Sequence, residues 1–303
     1  MSTNPRFSRS FEPNYGLAVQ VAPQVMRLTC KNPSAFTFHG TNSYLVGTDR
    51  LAVIDPGPDD IDHFEALVAA IADRPVSHIF VSHTHADHSP LARRLRDVTG
   101  AAIVGASEHR SARPLFIGEQ NPLDAAADRD HAPDQVLTDG DEVNGDGWTL
   151  RTIETPGHSA NHVVFELVGT GVLFSADHVM AWATTIVAPP DGAMRDYMNS
   201  LARLEDLPHD LYLPGHGGEV RNPKPFLRGL KAHRRMRERA ILQRLEQGDT
   251  DIRTLVQNIY TDSDPRLHGA AGLSVLAHLE DLTDRGVVVT DGDPSITGRY
   301  TIA

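Results

Sequence analysis

The sequence predicts an α/β protein closed by a small helical module. Three observations carry that prediction. Strand-length apolar runs alternate with helically spaced apolar residues over the first hundred positions, strand signals resume at residue 148, and residues from 224 onward read as helices ending in a hairpin.

Apolar patches at 43–47 and 51–55, joined by "TDR", read as a hairpin followed by the turn "PGPDD". The stretch "IDHFEALVAAIAD" (61–73) places Ile61, Phe64, Leu67, Val68 and Ile71 on one face of a helix. A strand at 78–82, a histidine-rich loop, a helix at 89–99 stopped by Gly100 and a strand at 101–104 complete a β-α-β-α-β alternation. Residues 105–142 are polar with little periodicity, and so long an irregular segment inside a compact domain is usually functional or mobile. "WTLRTIE", "HVVFELV" and "GVLFSA" read as strands, the last two joined by "GTG". A helix at 194–206 leads to the short strand "LYL" (211–213). Helices are expected at 224–247, 251–260 and 270–285 before the terminal hairpin "GVVVTDGDPSITGRYTIA". Three helices and a hairpin resemble a winged-helix module, so the expected domains are 1–222 and 223–303.

Composition narrows the class. The chain of 303 residues is 40% apolar and 22% charged, an ordinary globular mixture. It has no membrane-length apolar run and no secretory leader, which predicts a cytoplasmic protein without a membrane partner. Cys30 is the only cysteine, so no intramolecular disulfide forms and any metal must be held by His, Asp or Glu. The net charge of -12 argues against a protein that coats nucleic acid.

The metal-ligating residue types fall just after strands. His83, His85, Asp87 and His88 ("HTHADH") follow "IFVS", His158 follows "TIETPG", Asp177 follows "VLFSA" and His216 follows "LYLPG". If these strands run the same way at one edge, seven N and O donors converge there. In an extended loop His83 and His85 point the same way and can grip one ion, while Asp87 and His88 turn toward a second. His158 would complete the first site, Asp177 would bridge, and His216 would close the second. Such ion pairs hold a bridging hydroxide near neutral pH, a nucleophile that needs neither Ser nor Cys.

"HTHADH", "TPGH", "SADH" and "PGHG", in this order, resemble the metallo-β-lactamase superfamily of binuclear metal hydrolases, over residues 15–303. The resemblance implies a four-layer αββα sandwich with two divalent ions at one sheet edge, Zn in the first place and Fe or Mn as alternatives. It assigns His83, His85 and His158 to the first ion, Asp87, His88 and His216 to the second, and Asp177 to the bridge. "GTNSYLVG", "VIDPGP", "TPGHSANH", "DYMNSL" and "PGHGGEVRNP" are similar to the lactamase-β-2-like branch, which includes a single-strand endoribonuclease and polyketide-releasing thioesterases. True zinc β-lactamases commonly carry Cys at the position of Asp177, so antibiotic hydrolysis is not expected.

Further candidates surround this set. Asp55 in "VIDPG" is a candidate acceptor for a ligand histidine, and His162 either orients a ligand or borders the substrate. His109 and Arg110 are candidate substrate contacts from the polar segment, and Trp182, Thr184 and Thr185 from the apolar segment after Asp177. Between 224 and 244 stand eight Lys or Arg and one acid, Glu238, read either as a face for RNA or another polyanion or as a solvated helix paired with the acidic main domain. Glu280, Asp281 and Asp284 on the last helix would repel DNA, so that module is expected to pack beside the site or to form a dimer contact.

The expected activity is hydrolysis of an ester, thioester or lactone of a small organic substrate by a metal-bridging hydroxide, with Asp87 steering its proton. The alternative is cleavage of single-stranded RNA.

Overall fold

The computed structural model describes residues 5–261 and 264–303. Two mixed sheets pack face to face. The first holds β1 (Val19–Ala22), β2 (Val25–Thr29), β3 (Asn42–Val46), β4 (Leu51–Ile54), β5 (Val76–Val81), β6 (Ala102–Gly105) and β7 (Gln135–Val136), in that spatial order. The second holds β8 (Glu142–Gly145), β9 (Trp148–Glu154), β10 (Val163–Leu167), β11 (Val172–Ala176), β12 (Leu211–Pro214) and β13 (Val220–Arg221). Helices α1 (Ile61–Ile71) and α2 (Leu91–Thr99) cover the first sheet, and α3 (Met194–Asp206) and α4 (Pro223–Glu246) cover the second. These layers are the expected αββα sandwich.

Between the sheets, Val25, Tyr44, Val46, Phe80, Trp148, Phe165 and Phe174 are all buried. The strands that feed this layer from both faces, such as Leu51–Ile54 and Val172–Ala176, are buried at every position, which is why they read as continuous apolar runs. The outer cores use helical spacing: Leu67, Ile71, Leu91 and Leu95 on one side, Tyr197, Leu201, Leu204, Leu227 and Leu230 on the other.

Three local differences from the sequence reading have plain causes. The hairpin β1–β2 was not anticipated, and its Val25 and Leu28 are completely buried. In α1 the inward face is His63, Phe64, Leu67 and Ile71, leaving Ile61 and Val68 exposed. The Asp60 carboxylate caps the His63 amide at 2.8 Å and fixes the rotation of the helix, and His63 then meets the Ser43 hydroxyl at 2.9 Å. The polar stretch 105–142 contains β7 and the start of β8, strands too short to show a period.

The C-terminal body comprises α5 (Ile252–Ile259), α6 (His268–Asp284) and the hairpin β14 (Val288–Thr290) with β15 (Tyr300–Ile302), around Leu255, Leu279 and Tyr300. Helix α4 serves both bodies: Leu227 and Leu230 pack in the second-sheet core, Ile241 and Leu245 in the C-terminal one. Glu280 bonds Arg113 at 2.6 Å, while Asp281 and Asp284 pair with Arg195. The acids of α6 thus face the main body. No helix among the described residues is long and apolar enough to cross a membrane.

Candidate metal centre

Every residue of the centre sits where a strand ends. β4 and β5 are parallel in the first sheet; β9 and β11 run alike on either side of β10, and β12 is parallel to β11. Their C-terminal ends therefore open on one edge, where β4 releases Asp55, β5 the 83–88 loop, β9 His158, β11 Asp177 and β12 His216. At the end of β11 the register slips between Phe174 and Ala176, and Ala176 takes φ +43, turning Asp177 toward the centre.

All seven expected ligands meet there. His83 Nε2 lies 3.1 Å from His85 Nδ1, and His158 Nε2 lies 3.0 Å from the same atom. His88 Nε2 stands 3.3 Å from His216 Nε2 and 3.5 Å from both Asp87 Oδ2 and Asp177 Oδ1. His216 Nε2 is 3.2 Å from Asp87 Oδ2 and from Asp177 Oδ2. Three sets of donor atoms fall within 4.8 Å of one another: His83, His85 and His158; His83, His88 and Asp177; Asp87, His88 and His216.

The outer ring nitrogens show why these atoms suit a cation. His158 Nδ1 donates to the Ile186 carbonyl at 2.7 Å and His216 Nδ1 to the Gly40 carbonyl at 3.2 Å. His88 Nδ1 donates to Asp55 Oδ2 at 3.1 Å. The Ser82 hydroxyl spends its proton on Asp55 Oδ2, so it accepts from His83 Nδ1 at 3.0 Å. Each outer acceptor holds a proton on the outer nitrogen of His83, His88, His158 and His216, so the inward nitrogen is the one a metal ion can take in place of a proton. Nitrogens crowded this closely need a positive ion between them, a metal ion or a proton. Asp177 Oδ1 is likewise buried without a hydrogen-bond partner.

Electrostatics divides the centre. Burial, followed by the neighbouring imidazoles, holds His83 well below the ordinary histidine value, and burial with His158 brings His85 down to about 3. Burial also opposes charge on His88 and His216, yet Asp87 and Asp177 outweigh it, so His88 is raised and His216 reaches about 9. One half of the site is neutral nitrogen and the other is carboxylate-rich.

A cavity of about 400 Å³ opens onto the centre, lined by His85, Asp87, His158, Asp177 and His216 and by Phe36, Leu123, Met180 and Ile186. The six side chains proposed as substrate contacts lie outside this lining. His162 sits behind His83, rings 5.0 Å apart, with Nδ1 bonded to Thr155. His109 is held by the Thr84 hydroxyl at 3.0 Å and lies 3.7 Å from Asp191. Trp182 stacks on Phe38 at 4.8 Å over Gly217, propping the His216 loop. Thr184 is half-buried outside the lining; its neighbour Thr185 bonds the carbonyls of Asp177 and His178. Arg110 bonds the Ala160 carbonyl. The apolar wall after Asp177 exists, but Met180 and Ile186 form it, while Trp182 is stacked on Phe38 outside the lining. Leu123 comes from the polar segment 105–142; nothing in the sequence marks Phe36.

Comparisons with known proteins agree with this geometry. Residues 36–216 match the family described as the Metallo-beta-lactamase superfamily, and residues 252–299 match the Beta-lactamase associated winged helix domain. The chain is 30% identical to the Beta-lactamase-like protein 2 homolog of Caenorhabditis elegans over 89% of its own length and 87% of that protein's. It is 28% identical to an atrochrysone carboxyl ACP thioesterase of Aspergillus fumigatus, over 78% and 69% of the two chains. A beta-lactamase domain protein from Burkholderia ambifaria shares its fold, with a TM-score of 0.79 at 23% identity over 99% and 97% of the two chains. Matched motifs, layered fold and converging donors lead to one conclusion: this chain is a hydrolase-family protein belonging to the metallo-beta-lactamase superfamily, with a C-terminal winged-helix domain.

Proposed function

We propose that the protein is a two-metal hydrolase of acyl compounds, cleaving an ester, thioester or lactone whose organic part occupies the apolar cavity. The observation that carries this reading is the cavity wall. Phe36, Leu123, Met180 and Ile186 lead directly to the inward-facing nitrogens, and among the described residues no lysine or arginine lines the space. A wall of this kind suits an acyl group, whereas an RNA strand needs cations along its track. Relatives named as ACP thioesterases favour thioesters within the class.

His83, His85, Asp87, His88, His158, Asp177 and His216 would hold the divalent ions, which would supply Lewis acidity toward an acyl oxygen and toward water. Zn suits this donor set, and Fe or Mn can take it. The remaining work belongs to the chain. The apolar wall seats the acyl group and keeps bulk water from it. The acceptors behind His83, His88, His158 and His216 fix the rings against rotation. Asp87, partly exposed at the cavity floor, is placed to take the proton of the attacking water and pass it to the departing thiolate or alkoxide. On this reading residues 1–222 carry the chemistry, and residues 223–303 brace the segment around Arg113 that leads to Leu123.

The test is turnover of a panel of thioesters, esters and lactones by metal-loaded protein, beside end-labelled single-stranded RNA. Asp87→Asn should lose roughly 10²–10⁴ of the acyl turnover with its fold intact. Cleavage of RNA by the wild type alone, without turnover of any acyl substrate, would overturn the reading in favour of a nuclease.

A further inference from the structure

Away from the metal centre, a second cavity of about 270 Å³ lies where α3, α4 and α6 meet. Its charged lining divides into satisfied and unsatisfied groups. Arg195 pairs with Asp281 at 2.9 Å, and Arg285 pairs with Glu238 at 2.9 Å and Asp281 at 3.1 Å. Those four side chains account for one another. Arg234, Arg235 and His278 do not share in these pairs.

Arg234 is only 4% exposed, yet among the described residues it has no carboxylate partner. One of its terminal nitrogens bonds the Thr185 carbonyl, its face lies 5.0 Å from the Tyr197 ring centroid, and its Nε is buried without any partner. His278 is 2% exposed, and neither of its ring nitrogens has a partner among the described residues. Burial, and then Arg234 and His233 beside it, push His278 down to about 3, so its imidazole is neutral. Arg235 stands exposed at the rim, also without an ion pair among the described residues. A buried guanidinium without an anion is costly, and proteins ordinarily pair it.

We propose that this cavity is a binding site for a small phosphate-class anion, free phosphate or the phosphate group of a monoester, held by Arg234 and His278 from within and Arg235 from the rim. A tetrahedral oxyanion offers several acceptor lone pairs, matching the charged guanidinium of Arg234 and the rim arginine, with the single N–H of the neutral His278 imidazole beside them. The space admits a phosphate with part of an organic group, while Glu238 and Asp281 on the same wall disfavour a longer polyanion. The site also absorbs two of the eight cations of the basic helix. Of the others, Lys231 and Arg228 pair with Glu205, and Arg244 with Asp249.

The experiment is calorimetric titration of the full, metal-loaded chain with inorganic phosphate, and separately with glycerol phosphate, at ionic strength held constant with chloride. The wild type should bind one phosphate saturably. Arg235→Ala, which changes an exposed residue outside the metal machinery, should weaken binding about tenfold through loss of a charge-assisted contact. Arg234→Met should abolish it, provided circular dichroism shows the variant folded. Tighter binding of the monoester identifies an organic phosphate as the occupant, and equal binding identifies free phosphate; either supports the site. Absence of saturable binding overturns the proposal. So does binding that Arg235→Ala leaves unchanged while Asp87→Asn removes it, which puts the phosphate on the metals.

Discussion

Replacing Asp55 by Asn tests how the fold makes ligands out of histidines. The carboxylate accepts three hydrogen bonds: Oδ1 from the Ser82 amide at 2.7 Å, Oδ2 from the Ser82 hydroxyl at 2.6 Å and from His88 Nδ1 at 3.1 Å. Asn keeps the shape but turns one acceptor into a donor. With its nitrogen at the Oδ1 position, a buried backbone N–H loses its partner, at a cost of about 1–3 kcal/mol. With its nitrogen at the Oδ2 position, the Ser82 hydroxyl rotates to accept, and His88 Nδ1 must become an acceptor. The backbone amide has no such freedom and the imidazole does, so the second arrangement prevails. The His88 proton then moves to Nε2, the nitrogen that faces Asp87, Asp177 and His216. A ligand lone pair is lost although no ligand has been changed. Loss of such an outer partner weakens metal affinity 10–100-fold, about 1.4–2.7 kcal/mol. Competition against a chromophoric chelator measures the affinity, and nitrogen-15 shifts of His88 report the tautomer. Metal affinity within about twofold of the wild type, with the Nδ1–H tautomer retained, would refute the reasoning.

Other expectations follow from the same geometry. Chelation of the metals should lower the melting temperature by about 5 °C or more, since a ligand at a hundred times its Kd adds about 2.7 kcal/mol to a native state that alone binds it; an unchanged melting curve would contradict metal binding at this centre. Gly40→Ala places a Cβ on the Cys30 carbonyl oxygen at φ +139 and displaces the carbonyl that holds His216, so about 2–4 kcal/mol of stability and part of the bound metal should be lost, read by urea denaturation and metal analysis. Burial holds His63 at about 4 in the folded chain, below its ordinary value near 6.5. The unfolded chain therefore binds the proton first, and about 3 kcal/mol is lost as pH falls from about 6.5 to 4. His63→Asn should flatten that part of the stability-against-pH curve, and a slope equal to the wild type would remove His63 as its cause.

The chain order of residues determined more of the centre than of its surroundings. The positions of the candidate ligands were legible because the proposed chemistry demands particular side chains immediately after strands, and a strand end fixes where the next few residues can reach. His83, His85, Asp87, His88, His158, Asp177 and His216 all come together, and Asp55 stands behind His88 as expected. Completely buried strands such as Leu51–Ile54 announced themselves by composition, as did the helices by spacing. The cavity wall was decided by tertiary structure. Trp182 and Met180 lie two residues apart in one loop without regular period, so only the packing of Trp182 on Phe38 sets which of them faces the candidate metal centre. Which ring nitrogen of each histidine turns inward depends on the Ile186 and Gly40 carbonyls, 28 and 176 positions from the rings they hold. The fate of the basic helix was settled in the same way: its composition announced positive charge, but only the packing of α3, α4 and α6 left Arg234 buried without an anion while pairing its neighbours. Local sequence specifies chemistry and period; facing and pairing are set by contacts between residues far apart in the chain, and no local pattern encodes them.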